Sequence, residues 1–164
     1  MDPVGTLVGF AEISLALAGF AAIVLVLATR TASLDPVTTA NVRIMIANAV
    51  GSAFASLVGV AILAIGVSPP LAWVMASAFI LAGGIVVGAL NFLLVLRHLK
   101  AQDPLAILWW SFGVAAGAVH FANVLGIFGS PSFGLFFLGL VILLGQAAAM
   151  FVNMVYVLFG RSAA

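Results

Sequence analysis

Five long apolar runs, each opened by a proline that follows an Asp or a Ser, restrict the fold of this sequence more than any other feature. The prolines stand as Asp2-Pro3, Asp35-Pro36, Ser68-Pro69-Pro70, Asp103-Pro104 and Ser130-Pro131. An Asp or Ser side chain accepts a hydrogen bond from the first free N–H groups of a helix. Proline at the next position loses nothing, because its missing N–H would be unpaired there. Each pair reads as a helix cap followed by a first helical residue, and no proline falls inside a run. The predicted helices cover about 3–29, 36–66, 69–99, 104–128 and 131–160. Each exceeds the ~20 residues that cross a ~30 Å hydrocarbon core.

The solvent follows from charge. Only 5% of the residues are charged and 66% are hydrophobic, against about 25% charged in soluble domains. So few charges cannot build a water-facing surface. In lipid, the helix is the open-ended element that satisfies its own backbone. The expected fold class is all-α: a polytopic membrane protein, a bundle of five transmembrane helices. Residues 1–164 then form a single integral membrane domain in a lipid bilayer. The outer turns, Gly66-Val67-Ser68 and Phe128-Gly129-Ser130, are short enough to make hairpins of helices 2–3 and 4–5.

Several function classes drop out. Net charge is +1 with no basic stripe, so no nucleic acid partner is expected. The absence of cysteine excludes disulfides, thiolate chemistry, cysteine-ligated metal and covalently attached c-type haem. No H-E-x-x-H, G-x-S-x-G or P-loop occurs, no catalytic residue is assigned, and no metal is expected. A serine hydrolase would need a Ser beside His120, and none is adjacent in sequence. Met1-Asp2-Pro3 is acidic, whereas a cleavable leader has a positive start, so the first run is expected to be retained as a span.

Arg30, Arg43, Arg97, Lys100 and Arg161 all fall on one side of the predicted bundle. The positive-inside rule makes that side cytoplasmic, with the N-terminus outside and the C-terminus inside. Trp109 and Trp110 are then expected at the inner interface and Trp73 at the outer one. A bacterial inner membrane is the expected setting. A shift of 62 positions aligns Ser68-Pro69 with Ser130-Pro131, Gly83 with Gly145 and Asn91 with Asn153. A duplicated hairpin and chance alignment of apolar sequence both account for this.

Membrane helices associate through small residues and interhelical hydrogen bonds. Stripes of such residues at steps of three and four occur on every helix. They are Gly5, Gly9, Glu12, Ala16 and Gly19; Asn41, Asn48, Ser52, Ala55 and Gly59; Ser77, Gly84, Gly88 and Asn91; Gly113, Gly117 and His120; and Gly139, Gln146, Ala149 and Asn153. Such spacing keeps residues on one helix face. Gly9, Gly19, Gly84, Gly88, Gly113 and Gly117 are therefore expected to pack against neighbouring helices.

Glu12 is the only carboxylate inside an apolar run, and a charge there costs about 2.5–3.5 kcal/mol on insertion scales. Its stripe predicts that it faces protein or an enclosed cavity. At 1.5 Å per residue, Glu12 and His120 both lie roughly 12–13 Å below the outer end. A contact between them, within one subunit or between two, would let the pair keep a charge or share a proton. Asn48, Asn91, Asn153 and Gln146 are candidates for a polar path from Glu12 inward.

Simpler readings stand beside these. A protonated Glu12 can serve as glue bonded to backbone, His120 as a packed core histidine, and the amides as packing contacts. His120 can also ligate a haem or chlorin, although no cofactor is assigned. The first functional expectation is a small homo-oligomeric channel or transporter for protons or small cations built on Glu12 and His120. The second is a non-transporting accessory or assembly subunit of a larger membrane complex.

Overall fold

The computed structural model describes residues 2–31, 36–96 and 104–160, excepting some side chains near helix ends. Those residues form five helices: α1 Pro3–Thr31, α2 Pro36–Ala64, α3 Pro69–Leu96, α4 Pro104–Leu125 and α5 Phe133–Gly160. No strand occurs among them. Four stretches are long and apolar enough to cross a membrane: Pro3–Leu27, Asn41–Ala64, Pro69–Val87 and Phe133–Tyr156. In α4 the corresponding stretch, Trp110–Leu125, is shorter. Large apolar side chains cover the outside, among them Ile13, Phe20, Ile85, Val114 and Val152. Four apolar helices with such a surface suggest a multi-pass membrane protein.

Proline marks the first residue of α1, α2, α3 and α4. At α1 the cap is explicit: Asp2 Oδ1 accepts from Val4 N–H and Oδ2 from Gly5 N–H, both at 3.0 Å. Ser68 plays the part at α3, its carbonyl accepting from Ala72 N–H at 2.9 Å. The fifth start is different. Ser130-Pro131 lies in the turn and α5 begins two residues after Pro131, at Phe133. Ser132 is the cap there: its Oγ accepts from Leu135 N–H and its carbonyl from Phe136 N–H. The caps expected at Asp35 and Asp103 lie outside the described residues, as do Arg97, His98, Lys100 and Arg161. The side chains of Arg30, Asn91 and Trp109 and the surroundings of Gly88 lie outside them too.

α2 and α4 end earlier than expected, at Ala64 and Leu125. Both close in the same way. Val67 N–H reaches the Ile62 carbonyl and Gly66 N–H that of Leu63; Ile127 reaches Ala122 and Gly126 reaches Asn123. This double bonding places the residue after the helix in the left-handed region, which favours glycine. Gly66 has φ +84° and Gly126 +64°. Gly66 thus corresponds to Gly126, but the cap Ser68 corresponds to Ser132. A uniform shift of 62 matches neither pair, so the expected repeat is not carried by the turns.

Contacts define the arrangement. α2, α3, α4 and α5 pack as a ring, each against the next, with α3 also touching α5. α1 lies outside the ring against α2 and α5, and among the described residues it meets neither α3 nor α4. One core, built on Leu7, Ala55, Trp73, Phe136 and Leu140, occupies the end near the two turns. A second, built on Ala21, Met45, Ala49 and Met150, fills the α1–α2–α5 groove toward the other end. Trp73 is buried rather than at a lipid interface, stacked on Phe136 with ring centroids 5.6 Å apart.

Candidate functional site: an outward carboxylate and a buried histidine cluster

The two ionisable groups singled out by the sequence occupy separate places. α1 buries Leu7, Phe10, Ala11, Ser14, Ala18 and Ala21, one face at steps of three and four. Gly5, Glu12, Ala16 and Gly19 are exposed on the opposite face, with Gly9 half-buried among them. At 100° per residue the two sets lie about half a turn apart. Glu12 therefore points away from its own subunit, contrary to the expectation from its stripe. The stripe has correct periodicity, but the larger side chains of the other face supply more contact area to α2 and α5.

His120 sits on α4, which α1 does not touch among the described residues. A contact between Glu12 and His120 within one subunit is excluded by that arrangement. His120 is fully buried at 0% exposure, as are Ser77 and Asn123. Its Nδ1 lies 3.3 Å from Ser77 Oγ on α3. Asn123, one turn along α4, donates from Nδ2 to Ser77 Oγ at 3.0 Å and accepts from Ser132 N–H at 2.8 Å. Phe136 packs edge-on against the imidazole at 5.8 Å. His120 Nε2 is buried without a hydrogen-bond partner and rests against Gly139, where an added Cβ would run into the ring.

The donors fix the order of this chain. Ser132 N–H requires the carbonyl end of the Asn123 amide, which turns the NH2 toward Ser77. Among the described residues, His120 Nδ1 is the one acceptor left for the Ser77 hydroxyl proton. The ring proton then belongs on Nε2. Three elements are tied in sequence: the start of α5, then α4, then α3 and back to α4.

Ser77 and His120 form a Ser–His pair, which sequence adjacency could not reveal. It lacks the arrangement that activates a nucleophile, in which a third group orients the histidine through its second nitrogen. Here Asn123 binds the serine, and the second nitrogen faces Gly139. Burial also closes the pair to substrate. The same enclosure bears on the haem or chlorin reading: Nδ1 lies against Ser77 Oγ and Nε2 packs against Gly139.

The amides form a second polar site. Asn48 on α2 donates from Nδ2 to Gln146 Oε1 on α5 at 2.9 Å, and Gln146 is buried. Asn153 is half-buried. This pair lies between α2 and α5, on the side of α1 away from Glu12, so the expected path from Glu12 through these amides does not form inside one subunit. Ser14 and Ser56 return their hydroxyls to the carbonyls of Phe10 and Ser52, each at 2.8 Å, the local bonding such residues use inside helices.

Glycines divide the same way. A Cβ at Gly9, Gly19, Gly84, Gly113 or Gly117 would meet nothing within 4 Å. They do not serve close packing inside the subunit, contrary to expectation. Between helices the tight positions are Gly59, against Leu7 and Phe136, and Gly139, against His120; Gly5 and Gly126 are tight only against their own caps and turns.

No protein-family model, no curated protein and no solved structure matches the chain.

Proposed function

We propose that the protein is a homo-oligomeric membrane protein whose α1 outer faces meet, gathering Glu12 from several copies into a site for protons or small cations. The observation that carries this reading is the exposure of Glu12 opposite the face that α1 packs on its own subunit. Left in lipid, an ionised carboxyl costs about 2.5–3.5 kcal/mol. Copies meeting through α1 replace that lipid with protein, water or another carboxyl. Gly5, Gly9, Ala16 and Gly19 flank it, and small residues at such spacing let backbones approach closely.

All five helices span the bilayer in this reading. α4, with 22 residues, reaches about 33 Å at 1.5 Å per residue. The basic residues face the cytoplasm, the N-terminus lies outside, and a bacterial inner membrane is the setting.

The test is ion flux in proteoliposomes containing wild type or Glu12→Gln, with oligomeric state measured by native mass spectrometry. The expected result is an oligomer whose proton or cation flux is lost in Glu12→Gln. Equal flux in both, flux in neither, or a monomer would sink the proposal. One observation favours a non-transporting accessory subunit as the second reading: among the described residues of the subunit no polar side chain continues from Glu12. That reading predicts no flux and a co-purifying membrane partner seated on α1.

A further inference from the structure

We propose that His120 is a proton-operated latch: a second proton on its imidazole breaks the chain from Ser132 through Asn123 and Ser77 and frees the start of α5. The proposal does not depend on conduction through Glu12. In the arrangement described, Nδ1 is the acceptor for the Ser77 hydroxyl. A doubly protonated ring offers only donors. The Nδ1–H then competes with the Asn123 amide for the Ser77 oxygen and displaces it, and the Ser77 proton is left without a taker. Nε2–H still faces Gly139 with no acceptor. Each orphaned buried group costs as much as a lost hydrogen bond.

Among the described residues no neighbouring charge offsets this. α3 has no titratable or charged residue, and α4 has only His120 itself. α5 presents Phe136 and Gly139 to the ring, and its only titratable residue is Tyr156, roughly 25 Å further along at 1.5 Å per residue. Arg43 of α2 and Glu12 of α1 belong to helices that do not touch α4. A histidine in such a setting is a two-state element sensitive to protons.

The moving part is identified by Ser132. Its N–H is held by Asn123, while its hydroxyl and carbonyl cap the first turn of α5. Displacing Asn123 leaves the Ser132 N–H without its acceptor and removes the tie of that capping residue to α4. α5 touches all four other helices, so its first turn is where a local opening reaches the whole bundle.

The experiment uses full-length His98→Gln protein in nanodiscs, in which His120 is the one remaining histidine. Its ring 15N shifts and the hydrogen exchange of the Ser132 amide are followed from about pH 8 to about pH 4, a range that brackets ordinary histidine titration. The proposal expects a proton on Nε2 at the higher pH. It also expects Ser132 protection, corrected for intrinsic exchange, to fall by about tenfold or more at the midpoint of ring titration. His120→Asn keeps an acceptor for Ser77 but cannot take the proton, and its Ser132 protection should stay flat. Three results would each overturn the latch: a ring that titrates while Ser132 protection holds, a ring that does not titrate in this range, or the same loss of protection in His120→Asn. The first two are read without that variant, so they stand even if it fails to fold.

Discussion

The His120 ring fills the volume in which a side chain at position 139 would sit, so Gly139 is what allows α5 to close over α4. Gly139→Ala drives a methyl into a fully enclosed imidazole and should destabilise the fold by about 1–3 kcal/mol. Gly117→Ala, on the same helix as His120 but facing open space, should be neutral or slightly stabilising, because Ala is the better helix former. Reversible unfolding in mixed micelles compares the two. Equal effects would mean that the α4–α5 contact is not as close as described.

Asn48 and Gln146 join α2 to α5 through one side-chain hydrogen bond of 2.9 Å. A double-mutant cycle with Asn48→Ala and Gln146→Ala should give a coupling of about 0.6 kcal/mol, and at most roughly 1.7, the range for hydrogen bonds between membrane helices. Coupling indistinguishable from zero would remove this bond as a fastener between α2 and α5.

The two turn glycines should respond differently to alanine. Both have positive φ, but at Gly126 a Cβ would also lie 2.7 Å from the Gly129 carbonyl oxygen, whereas Gly66 is open. Gly66→Ala should cost about 1 kcal/mol, the low end for a non-glycine residue in that conformation, and Gly126→Ala about 3 kcal/mol or more. Thermal unfolding followed by circular dichroism ranks them. The reverse order would contradict the backbone path of the α4–α5 turn.

Gly9 lies on the outward stripe beside Glu12 with nothing within 4 Å. Gly9→Leu should leave subunit unfolding within about 0.5 kcal/mol of wild type, the range for a surface change. The same substitution should abolish self-association in detergent, measured by sedimentation. Unchanged self-association would mean that copies meet through another face.

The helix starts were legible because a proline after Asp or Ser carries its own physical reason, as the Asp2 side chain before Pro3 demonstrates; α3 also starts at its proline, with the Ser68 carbonyl taking the first helical bond. Ser130-Pro131 misled because a longer turn uses the same residue types, and the cap fell to the next serine, Ser132. The face of Glu12 was misread because spacing identifies a stripe but not what covers it. α1 carries two stripes of equal regularity, and only packing against α2 and α5 decides between them. Asn123 was overlooked although it stands three residues after His120, one turn along the same helix face. Its partner Ser77 was visible as a polar residue on α3, but the pairing spans 46 positions and has no sequence signature.

The position of α5 has a consequence for biosynthesis. It is the last of the five helices to leave the ribosome, yet it is the one that borders every other. Until it arrives, α1 has only α2 to lean on, the His120 ring lacks the wall formed by Phe136 and Gly139, and both cores stand open. Native packing is therefore completed late, and until then the four earlier helices form a loose assembly that awaits its keystone.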